Sequence, residues 1–409
     1  MSKSYACHVC GSSVTPFISF GKQPIANGFL KKEDFGKEYF FEMQVCHCQK
    51  CNMVQLAEQP DREQMFNENY AFFSGTSTHM ARHFEQFAQT VRTRFLSEAK
   101  DPLIIEMGSN DGIMLRNFKG WGYRHVGIEP SANVAKVAQD QGVNTLVRFF
   151  DEDTTELLLK QYGQADVFYS ANVMCHIPYI GQIFKGISRI LKPSGVLAFE
   201  DPYLGDVIEK TSYDQVYDEH TFLFSVLSVQ YLAGLHGLEI FDVEAQETHG
   251  GSMRYYIGHK GQHGITAAVE NQVLKEKALG LASLATFEQF RKNCEQSRAD
   301  LVKLLTDLKR QNKRVVGYAA TSKSTTVLNY CGISSDLIEF ISDTTPNKQG
   351  KFSPGQHIPV LAYENFKKNY PDYALLFGWN HKKEILEKEG DFMARGGKWI
   401  VFVPQVGIE

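Results

Sequence analysis

The sequence predicts an α/β protein of three parts: a small zinc-binding N-terminal module, a central doubly wound domain and a second, C-terminal α/β domain. Three observations predict it. Five of the eight cysteines fall within the first 51 residues, apolar strands alternate with helices from about residue 103, and the alternation resumes after a helical stretch at 270–312. Such alternation is typical of a parallel sheet covered on both faces. We therefore divide the chain into domains 1–72, 73–262 and 263–409.

The composition excludes several classes of protein. The 409 residues carry 43 Lys and Arg against 47 Asp and Glu, so the net charge of −4 offers no basic surplus for nucleic acid. No apolar run approaches the roughly 18 residues of a membrane helix, and the N-terminus lacks the apolar core of a secretory signal. We expect a cytoplasmic protein with no membrane or nucleic-acid partner. The sequence leaves the oligomeric state open, a monomer included.

Two C-x-x-C pairs predict a metal site in the first domain. The pairs are Cys7 with Cys10 and Cys48 with Cys51. Each pair fits on one turn, and two turns complete the tetrahedron that zinc prefers, with no open position for catalysis. Cys46 or His47 could take the place of Cys48. Ordinary buried thiols and a redox motif are the alternatives, but neither pair opens a helix after a strand as a redox motif would.

Apolar patterns place the remaining elements. Residues 17–20 and 39–45 predict strands of the zinc module, and apolar residues three or four apart between Met80 and Phe95 predict a helix. Central strands are expected at 103–105, 126–128, 167–169 and 196–199, with a helix at 183–191 before the last of them. C-terminal strands are expected at 315–318, 338–341, 374–377 and 399–403. The apolar stripe of the 270–312 helical stretch indicates core packing.

The first central strand leads into a glycine loop, Glu106-Met107-Gly108-Ser109-Asn110-Asp111-Gly112. Glycine allows a sharp turn into a helix and a close approach to a ligand. The second strand ends at Glu129, where an acid can accept hydrogen bonds from ribose hydroxyls. This combination predicts a nucleotide-type ligand, and a purely structural turn is the alternative. The residues alone leave S-adenosylmethionine and NAD both open.

Histidines follow the third and fourth central strands. Asn172 and His176 come directly after the third strand, and strand ends at this edge of a parallel sheet face the ligand crevice. His220 closes the sequence Tyr-Asp-Gln-Val-Tyr-Asp-Glu-His at 213–220. A histidine among acids and tyrosines suits proton transfer, because a carboxylate can tune its near-neutral pKa. A structural histidine is the alternative.

The ordered motifs resemble the nucleotide-sugar C-methyltransferases, a class I S-adenosylmethionine-dependent family that methylates C-3 of dTDP-linked keto-deoxysugars. The motifs are the cysteine pairs and the segments 106–112, 172–178, 200–206, 213–220 and 248–254. The resemblance extends along essentially the whole chain. It implies a central class I methyltransferase domain with a Rossmann-like fold, and a second Rossmann-like domain at the C-terminus.

The resemblance also implies a mechanism. A general base removes the proton beside the ketone, and the enolate carbon then attacks the sulfonium methyl group. It implies catalytic roles for His220 as the base and for Tyr217, His176, Glu219 and Tyr70 around it. Phe72 and Thr76 depart from the family's tyrosine-rich stretch near Tyr70. Half-buried packing is the alternative for both tyrosines.

The same resemblance assigns ligand contacts. It implies that S-adenosylmethionine is bound by Glu106, Gly108, Asn110, Asp111, Glu129, Asp151 and Asn172, with Asp151 near the adenine. The family holds its sugar nucleotide between the central and C-terminal parts, and hydroxyls with a lysine at a helix N-terminus suit phosphate. We therefore assign Lys323, Lys348 and Arg254 to a nucleotide-linked keto-sugar substrate, with solvated surface as the alternative for the lysines.

Three rival functions remain open at this level. The chain could be an NAD-dependent oxidoreductase of a nucleotide sugar, or an O- or N-methyltransferase of another small molecule. The zinc module could instead serve as a docking element for a partner or for nucleic acid, although the balanced charge argues against nucleic acid.

Overall fold

The computed structural model describes residues 4–60, 75 and 78–409. The N-terminal module is built from the antiparallel strands β1 (Thr15–Pro24), β2 (Phe40–His47) and β3 (Val54–Leu56), with a short 3-10 helix at Lys32–Lys37. Side chains in β2 alternate between exposed and buried, so that Met43 and Val45 enter the core while Phe40 faces outward. Both strands predicted from this region are present.

The central domain alternates helices and strands as its sequence pattern predicts. Its helices are α1 (Thr78–Phe95), α2 (Leu115–Gly120), α3 (Ala132–Asp140), α4 (Glu152–Gln161), α5 (Ile180–Ile190), α6 (Leu204–Lys210) and α7 (Val226–Gly234). Its strands are β4 (Leu103–Met107), β5 (Arg124–Ile128), β6 (Thr145–Leu146), β7 (Ala165–Ala171), β8 (Leu191–Pro202), β9 (Phe222–Leu223), β10 (Leu238–Gln246) and β11 (Ser252–His259).

The central sheet has the strand order β10-β11-β8-β7-β4-β5-β6. The strands from β8 to β6 are parallel, and β11 runs antiparallel to both of its neighbours. Every residue of β4 is buried because helices cover both faces. The chain leaves β4 toward β5 on one side and returns to β7 on the other, which opens a crevice at the carboxyl ends of β4 and β7.

Strand β9 does not join the central sheet. It pairs antiparallel with β3 of the N-terminal module, with Val54 opposite Leu223, and the Leu56 amide donates to the Thr221 carbonyl at 2.8 Å. The N-terminal sheet therefore has the order β1-β2-β3-β9. The segment that directly follows His220 is thus a structural part of the zinc module. The sequence pattern did not predict that β9 pairs with β3.

The C-terminal domain begins with two helices, α8 (Ala267–Leu279) and α9 (Leu284–Arg310), separated at Gly280 in the left-handed conformation (φ 77°). Its further helices are α10 (Ser322–Cys331), α11 (Tyr363–Lys368), α12 (Lys382–Lys388) and α13 (Gly390–Ala394). Its strands are β12 (Val315–Tyr318), β13 (Ile341–Asp343), β14 (Val360–Ala362), β15 (Tyr373–Leu376), β16 (Lys398–Val401) and β17 (Gly407–Ile408).

This second sheet has the order β14-β13-β12-β15-β16-β17 and is parallel except for β17. The largest displacement from a predicted strand position is at β13, which begins at Ile341 instead of Ile338. Ile338 and Phe340 are buried, and the Phe340 carbonyl accepts a hydrogen bond from the Gly317 amide, so the approach to the strand is apolar without being part of it. Burial in a connecting segment produced the strand-like pattern.

The long helix α9 joins the N-terminal and C-terminal sheets into one core. Its buried side chains include Phe287, whose ring centroid lies 4.9 Å from that of Phe17 in β1, and Leu301, which belongs to the same apolar cluster as Ile400 in β16. The apolar stripe predicted for this helix therefore serves core packing. None of the helices in the described ranges is long and apolar enough to span a membrane.

Candidate active site and zinc centre

The four predicted zinc ligands converge in the N-terminal module. The Cys7 and Cys51 sulfurs lie 3.4 Å apart, those of Cys10 and Cys48 lie 3.5 Å apart, and all four lie within 4.8 Å of one another. These separations exceed a disulfide bond of about 2.05 Å and approach the spacing of four thiolates about 2.3 Å from one tetrahedral ion. The donor set therefore fits a structural zinc ion with no open coordination position.

Two similar turns present these sulfurs. The Gly11 amide donates to the Cys7 carbonyl at 2.9 Å, and the Asn52 amide donates to the Cys48 carbonyl at 2.8 Å. Gly11 and Asn52 both adopt the left-handed conformation that ends such a turn, with φ of 71° and 59°. The backbone thus folds each C-x-x-C pair so that both of its sulfurs face one point.

The structure resolves the ambiguity around Cys48. The four sulfurs that lie within 4.8 Å of one another include that of Cys48 and not that of Cys46, and His47 packs with its ring centroid 4.5 Å from that of Phe287. Cys48 lies just beyond β2, in the turn that carries Cys51. The ligand set is therefore the two C-x-x-C pairs.

A cleft of about 410 Å³ lies where the three parts of the chain meet. It is bounded by the carboxyl ends of β4 and β7, by the segment before β9 and by the loop after β12. The predicted site residues that line it are Glu106, Gly108, Asn110, Glu129, Asn172, His176, Tyr217, Glu219, His220, Lys323 and Lys348. Residues that were assigned from sequence to catalysis, to cofactor binding and to substrate binding thus line the same cleft.

The loop after β4 passes directly along the cleft. Gly108 has φ of 72°, and a Cβ atom there would lie 2.2 Å from Cγ2 of Val173. Only glycine fits this backbone path, since any side chain would both strain the left-handed conformation and clash. The Gly108 amide donates to the Ile128 carbonyl at 2.8 Å, which ties the loop to the end of β5.

Glu129 at the end of β5 holds this loop in place. One of its carboxylate oxygens accepts from the Asn110 amide at 3.0 Å, and the other accepts from the Ser131 amide at 2.8 Å. Burial raises the pKa of Glu129, and these amide hydrogen bonds oppose the rise. The carboxylate is therefore fixed at the cleft wall in the position where a ribose-binding acid is expected.

Two more acids lie beside it. Among the described residues, Oε2 of Glu106 and Oδ1 of Asp111 are buried with no hydrogen-bond partner. Burial raises the pKa of Glu106 well above its ordinary value, and Asp111 and Glu129 add repulsion. Buried acceptors without partners are costly in a folded protein. A ligand with a positive charge and N–H donors, as S-adenosylmethionine has, fits this acid cluster.

His220 lines the same cleft, is buried and is only 4% exposed. Its Nδ1 lies 2.6 Å from the Gln215 carbonyl oxygen, which can only accept, so the neutral ring carries its proton on Nδ1 and its lone pair on Nε2. The Tyr217 ring lies 3.9 Å from it, centroid to centroid, and the His176 ring lies 5.4 Å from it. Packing and one hydrogen bond thus fix its orientation.

Three histidines of the cleft lining, of which His220 is buried and His176 and His249 are partly buried, are neutral imidazoles. Burial lowers the pKa of His220 well below its ordinary value, that of His176 to about 3 and that of His249 to about 4. The mutual repulsion of their charged forms acts in the same direction. A neutral imidazole is the form that can accept a proton.

The two predicted lysines reach the cleft from the C-terminal domain. Lys323 donates to the His249 carbonyl at 3.0 Å and lies 5.2 Å from the Trp379 ring centroid, while Lys348 donates to the Ala320 carbonyl at 2.7 Å. Burial lowers the pKa of Lys323 to about 8, opposed by Asp214. Lys323 is only 9% exposed, so it is not a solvated surface lysine.

The C-terminal domain repeats the acid arrangement of the central one. Asp343 at the end of β13 accepts from the Ala320 amide and from the Thr345 amide, both at 2.7 Å. Glu129 in the central domain makes the same pair of contacts. It accepts one hydrogen bond from an amide in the loop after the preceding strand and one from the amide two residues further along the chain. Thr321 caps α10, so the helix N-terminus faces the cleft beside Lys323.

Three assigned contacts do not line the cleft, since its described lining includes none of Asp111, Asp151 and Arg254. Asp151 is exposed and caps α4, accepting from the Thr154 amide at 2.9 Å. Arg254 in β11 lies opposite Glu200 in β8 and forms ion pairs with Glu200 at 2.8 Å and Glu244 at 3.2 Å. Local helix capping and cross-strand charge pairing thus use the side chains of Asp151 and Arg254.

Asp111 and Tyr70 are the two remaining predicted site residues. Asp111 is buried behind the lining, where Oδ2 accepts from the Gly75 amide at 2.7 Å. Tyr70 lies outside the described residues, as do Phe72 and Thr76. The catalytic assignment of Tyr70 therefore stays a prediction.

Sequence reasoning missed several lining residues. Phe149 lines the cleft where Asp151 was expected, and Asn27 and Gln215 also line it. Gln215 lies inside the recognised motif at 213–220, which was an available signal. Asn27 lies in the loop after β1, far from any motif, and no sequence pattern marked it.

Comparison with known families agrees with this organisation. Residues 7–66 match a family described as "Putative zinc binding domain", residues 80–243 match a methyltransferase domain, and residues 247–404 match a C-methyltransferase C-terminal domain. The curated protein C-methyltransferase NovU from Streptomyces niveus is 32% identical over 402 residues, which cover 98% of this chain and 95% of NovU.

Solved structures resemble about half of the chain. Magnesium protoporphyrin IX methyltransferase from Synechocystis PCC 6803 is 11% identical, covers 49% of this chain and 89% of its own, and has a TM-score of 0.34. The PH0226 protein of Pyrococcus horikoshii OT3 is 16% identical, covers 50% of this chain and 100% of its own, and has a TM-score of 0.38. We draw no conclusion from similarities this low.

The family matches and the near full-length relative confirm the predicted fold class and both cofactors, S-adenosylmethionine and structural zinc. The acid-lined glycine loop and the four converging cysteines supply the local chemistry for each. The chain therefore belongs to the C-methyltransferase family that includes NovU, and it is an S-adenosylmethionine-dependent C-methyltransferase with an N-terminal zinc-binding domain.

Proposed function

We propose that this enzyme methylates C-3 of a dTDP-linked keto-deoxysugar by base-catalysed enolate formation. The observation that carries the proposal is the state of His220, a buried neutral imidazole whose Nδ1 is bonded to the Gln215 carbonyl. S-adenosylmethionine, when bound, supplies an electrophilic methyl group. Carbon becomes a nucleophile only after it loses a proton, and a ketone makes the neighbouring C–H acidic enough for an imidazole to take it.

The residues around His220 have complementary roles in this proposal. Nε2 of His220 accepts the C-3 proton, and the Tyr217 ring holds the imidazole in place by packing against it at a tilt of 34°. His176 is neutral and lies in the same cleft, so one of its ring nitrogens is suited to a hydrogen bond with the sugar. Glu219 supplies a carboxylate on the same wall.

The cofactor assignment follows the glycine loop. Glu129 would bind the ribose hydroxyls, Gly108 and Asn110 would approach the methionine part, and Asn172 would close the opposite side at the end of β7. Glu106 would accept hydrogen bonds from the ammonium group, which would satisfy its buried oxygen. This assignment is supported by the cleft position of all five residues.

The sugar nucleotide would bind against the C-terminal domain. Lys323, Lys348 and the N-terminus of α10 border the cleft, and helix amides together with lysines favour phosphate. Both lysines now donate to backbone carbonyls, contacts that a diphosphate oxygen could replace. The name of NovU supports methylation at carbon, and the choice of dTDP and of C-3 is our proposal.

Product analysis tests this proposal. The enzyme is incubated with S-adenosylmethionine and a panel of dTDP-keto-sugars that carry deuterium at C-3, and the products are identified by mass spectrometry. We expect a gain of one methyl group with loss of the deuterium. Methylation only on oxygen or nitrogen, or hydride transfer with NAD, would favour the rival functions instead.

Replacing Glu129 with alanine tests the cofactor site. We expect the Kd for S-adenosylmethionine to rise about 10- to 100-fold, because hydrogen bonds to a charged carboxylate contribute about 1.5–3 kcal/mol. Isothermal titration calorimetry measures this. Asp151→Ala is the matched control, since Asp151 is exposed and we expect it to leave the Kd unchanged. A loss of affinity in the control alone would reverse the assignment.

A further inference from the structure

A loop of the zinc module, residues 25–28, reaches the cleft between the other two domains. We propose that Asn27 in this loop is a positioning residue that fixes the Glu219 carboxylate as a hydrogen-bond acceptor for a hydroxyl group of the sugar substrate. The inference deepens the proposed function and rests on it for the nature of the substrate. It gives the zinc module a part in substrate recognition besides its structural one.

The loop is tied to both neighbouring domains. Nδ2 of Asn27 donates to Oε1 of Glu219 at 2.8 Å, and the Ala26 amide donates to Oδ1 of Asp218 at 2.9 Å. The Ala26 carbonyl in turn accepts from Oγ1 of Thr325 in α10 at 2.8 Å. The two adjacent acids that precede His220 are therefore each held by a separate donor from the same loop.

Asn27 and Glu219 both line the cleft. Glu219 is only 5% exposed, and burial raises its pKa, while the Asn27 N–H and the charge of Lys348 oppose the rise. Two groups therefore favour the charged form of Glu219: the neutral Asn27 amide through its hydrogen bond, and Lys348 of the C-terminal domain through its positive charge. Without the Asn27 donor, a buried carboxylate at this position binds a proton more readily.

Other titratable groups lie near Glu219. Asp218 is buried beside it and has its pKa raised to about 8 by burial and by repulsion from Glu219. The Cys175 thiol is held neutral by burial, with Asp201 and Glu219 adding to the effect. His220 and His176 are neutral for the reasons given above. Lys348 is thus the cation that acts on Glu219 among these groups.

The hydroxyl groups of a sugar substrate are suited to hydrogen bonds with the Glu219 carboxylate that Asn27 holds. An ionised carboxylate accepts hydrogen bonds without donating any, and hydrogen bonds to a charged acceptor are stronger than neutral ones. A sugar hydroxyl is a donor of the right kind. A carboxylate fixed one residue from His220 can hold the sugar so that its acidic C–H faces Nε2.

The first experiment needs no substrate. Infrared difference spectra between the parent enzyme and its Glu219→Gln variant isolate the Glu219 carboxylate band, and its pH dependence is measured with and without Asn27→Ala. We expect the Glu219 titration to move to higher pH in the variant. An unchanged titration would overturn the inference, whatever the substrate is.

A shape-matched variant separates positioning from simple packing. Asn27→Asp keeps the volume of the side chain but replaces the donor with a second carboxylate, so we expect a larger upward shift than in Asn27→Ala. If Asn27 only filled space, Asn27→Asp would behave as the parent enzyme does. Asn365→Ala, which removes an exposed amide that donates to the Ala362 carbonyl, is the control.

The second experiment uses the sugar nucleotide. We expect Asn27→Ala to raise KM for the sugar nucleotide at least 10-fold, with the Kd for S-adenosylmethionine and the zinc content within twofold of the parent enzyme. The effect should grow as the pH falls. An unchanged KM would overturn the role in substrate binding. A parent enzyme that methylates none of the dTDP-keto-sugars would contradict the proposed function, while the infrared result still decides the contact between Asn27 and Glu219.

Discussion

Replacing His220 with asparagine lowers kcat about 10²- to 10⁴-fold in our expectation, which is the usual contribution of a general base. Asparagine can still donate a hydrogen bond toward the Gln215 carbonyl, but it has no lone pair of comparable basicity to take a proton from carbon. The Kd for S-adenosylmethionine should stay unchanged, because the residues that we assign to the cofactor do not include His220. Single-turnover kinetics and calorimetry measure the two quantities.

A pH profile sharpens this expectation. The base must be neutral to act, and burial lowers the pKa of His220 well below its ordinary value. We therefore expect kcat/KM to stay high as the pH falls through 6.5 and to decline only below it. His236→Asn, which changes a histidine outside the cleft lining, is the control and should keep both the rate and the profile. An acidic limb centred above pH 6.5, or near-normal turnover in the His220 variant, would exclude His220 as the sole base.

Loss of zinc should inactivate the enzyme although the metal takes no part in the chemistry. Cys48 and Cys51 shape the turn between β2 and β3, and β3 pairs with β9, which begins two residues beyond His220. Structural zinc contributes about 10–16 kcal/mol in zinc-finger peptides, comparable to the whole stability of many domains. Without it, we expect the strand pairing that anchors the His220 segment to be lost.

The test compares two cysteine variants. We expect Cys48→Ser to lose its bound zinc, as measured by atomic absorption. We also expect its activity to fall at least 100-fold and its Tm to fall substantially. Cys46→Ser leaves the four ligands in place, so it should keep one zinc ion per chain and most of its activity. A zinc-free protein that retains full turnover would show that the His220 segment is held by other contacts.

Much of the fold was predictable because its signals are local. The order of strands and helices follows from apolar periodicity, and all four predicted central strands are present. The exception at Ile338 shows the limit of that signal, since burial beside a sheet gives the same apolar pattern as pairing within it. The pairing of β9 with β3 had no sequence signal, because a two-residue strand is too short to show a period.

The residues of the candidate site also divide into those that the sequence could place and those that it could not. Gly108 and Glu129 could be placed together from sequence, and both line the cleft, because a strand, a tight turn and the next strand fix their spacing through the backbone alone. Arg254 and Asp151 were assigned to ligands, but a cross-strand carboxylate and a helix N-terminus use them instead. Whether a side chain is already bound by another part of the protein depends on neighbours that are remote in sequence or on local helix capping that the motif did not show.

By itself, then, the sequence determined that two C-x-x-C pairs offer a metal site, and it located the glycine loop with its acid and the motif that contains His220, because short stretches of backbone fix the spacing within each of them. Only the tertiary structure decided that Cys48 rather than Cys46 faces the other sulfurs and that Asn27 meets Glu219, 192 positions away. The physical reason is that side-chain direction and long-range contact are set by how separate segments pack, and packing depends on the whole chain at once.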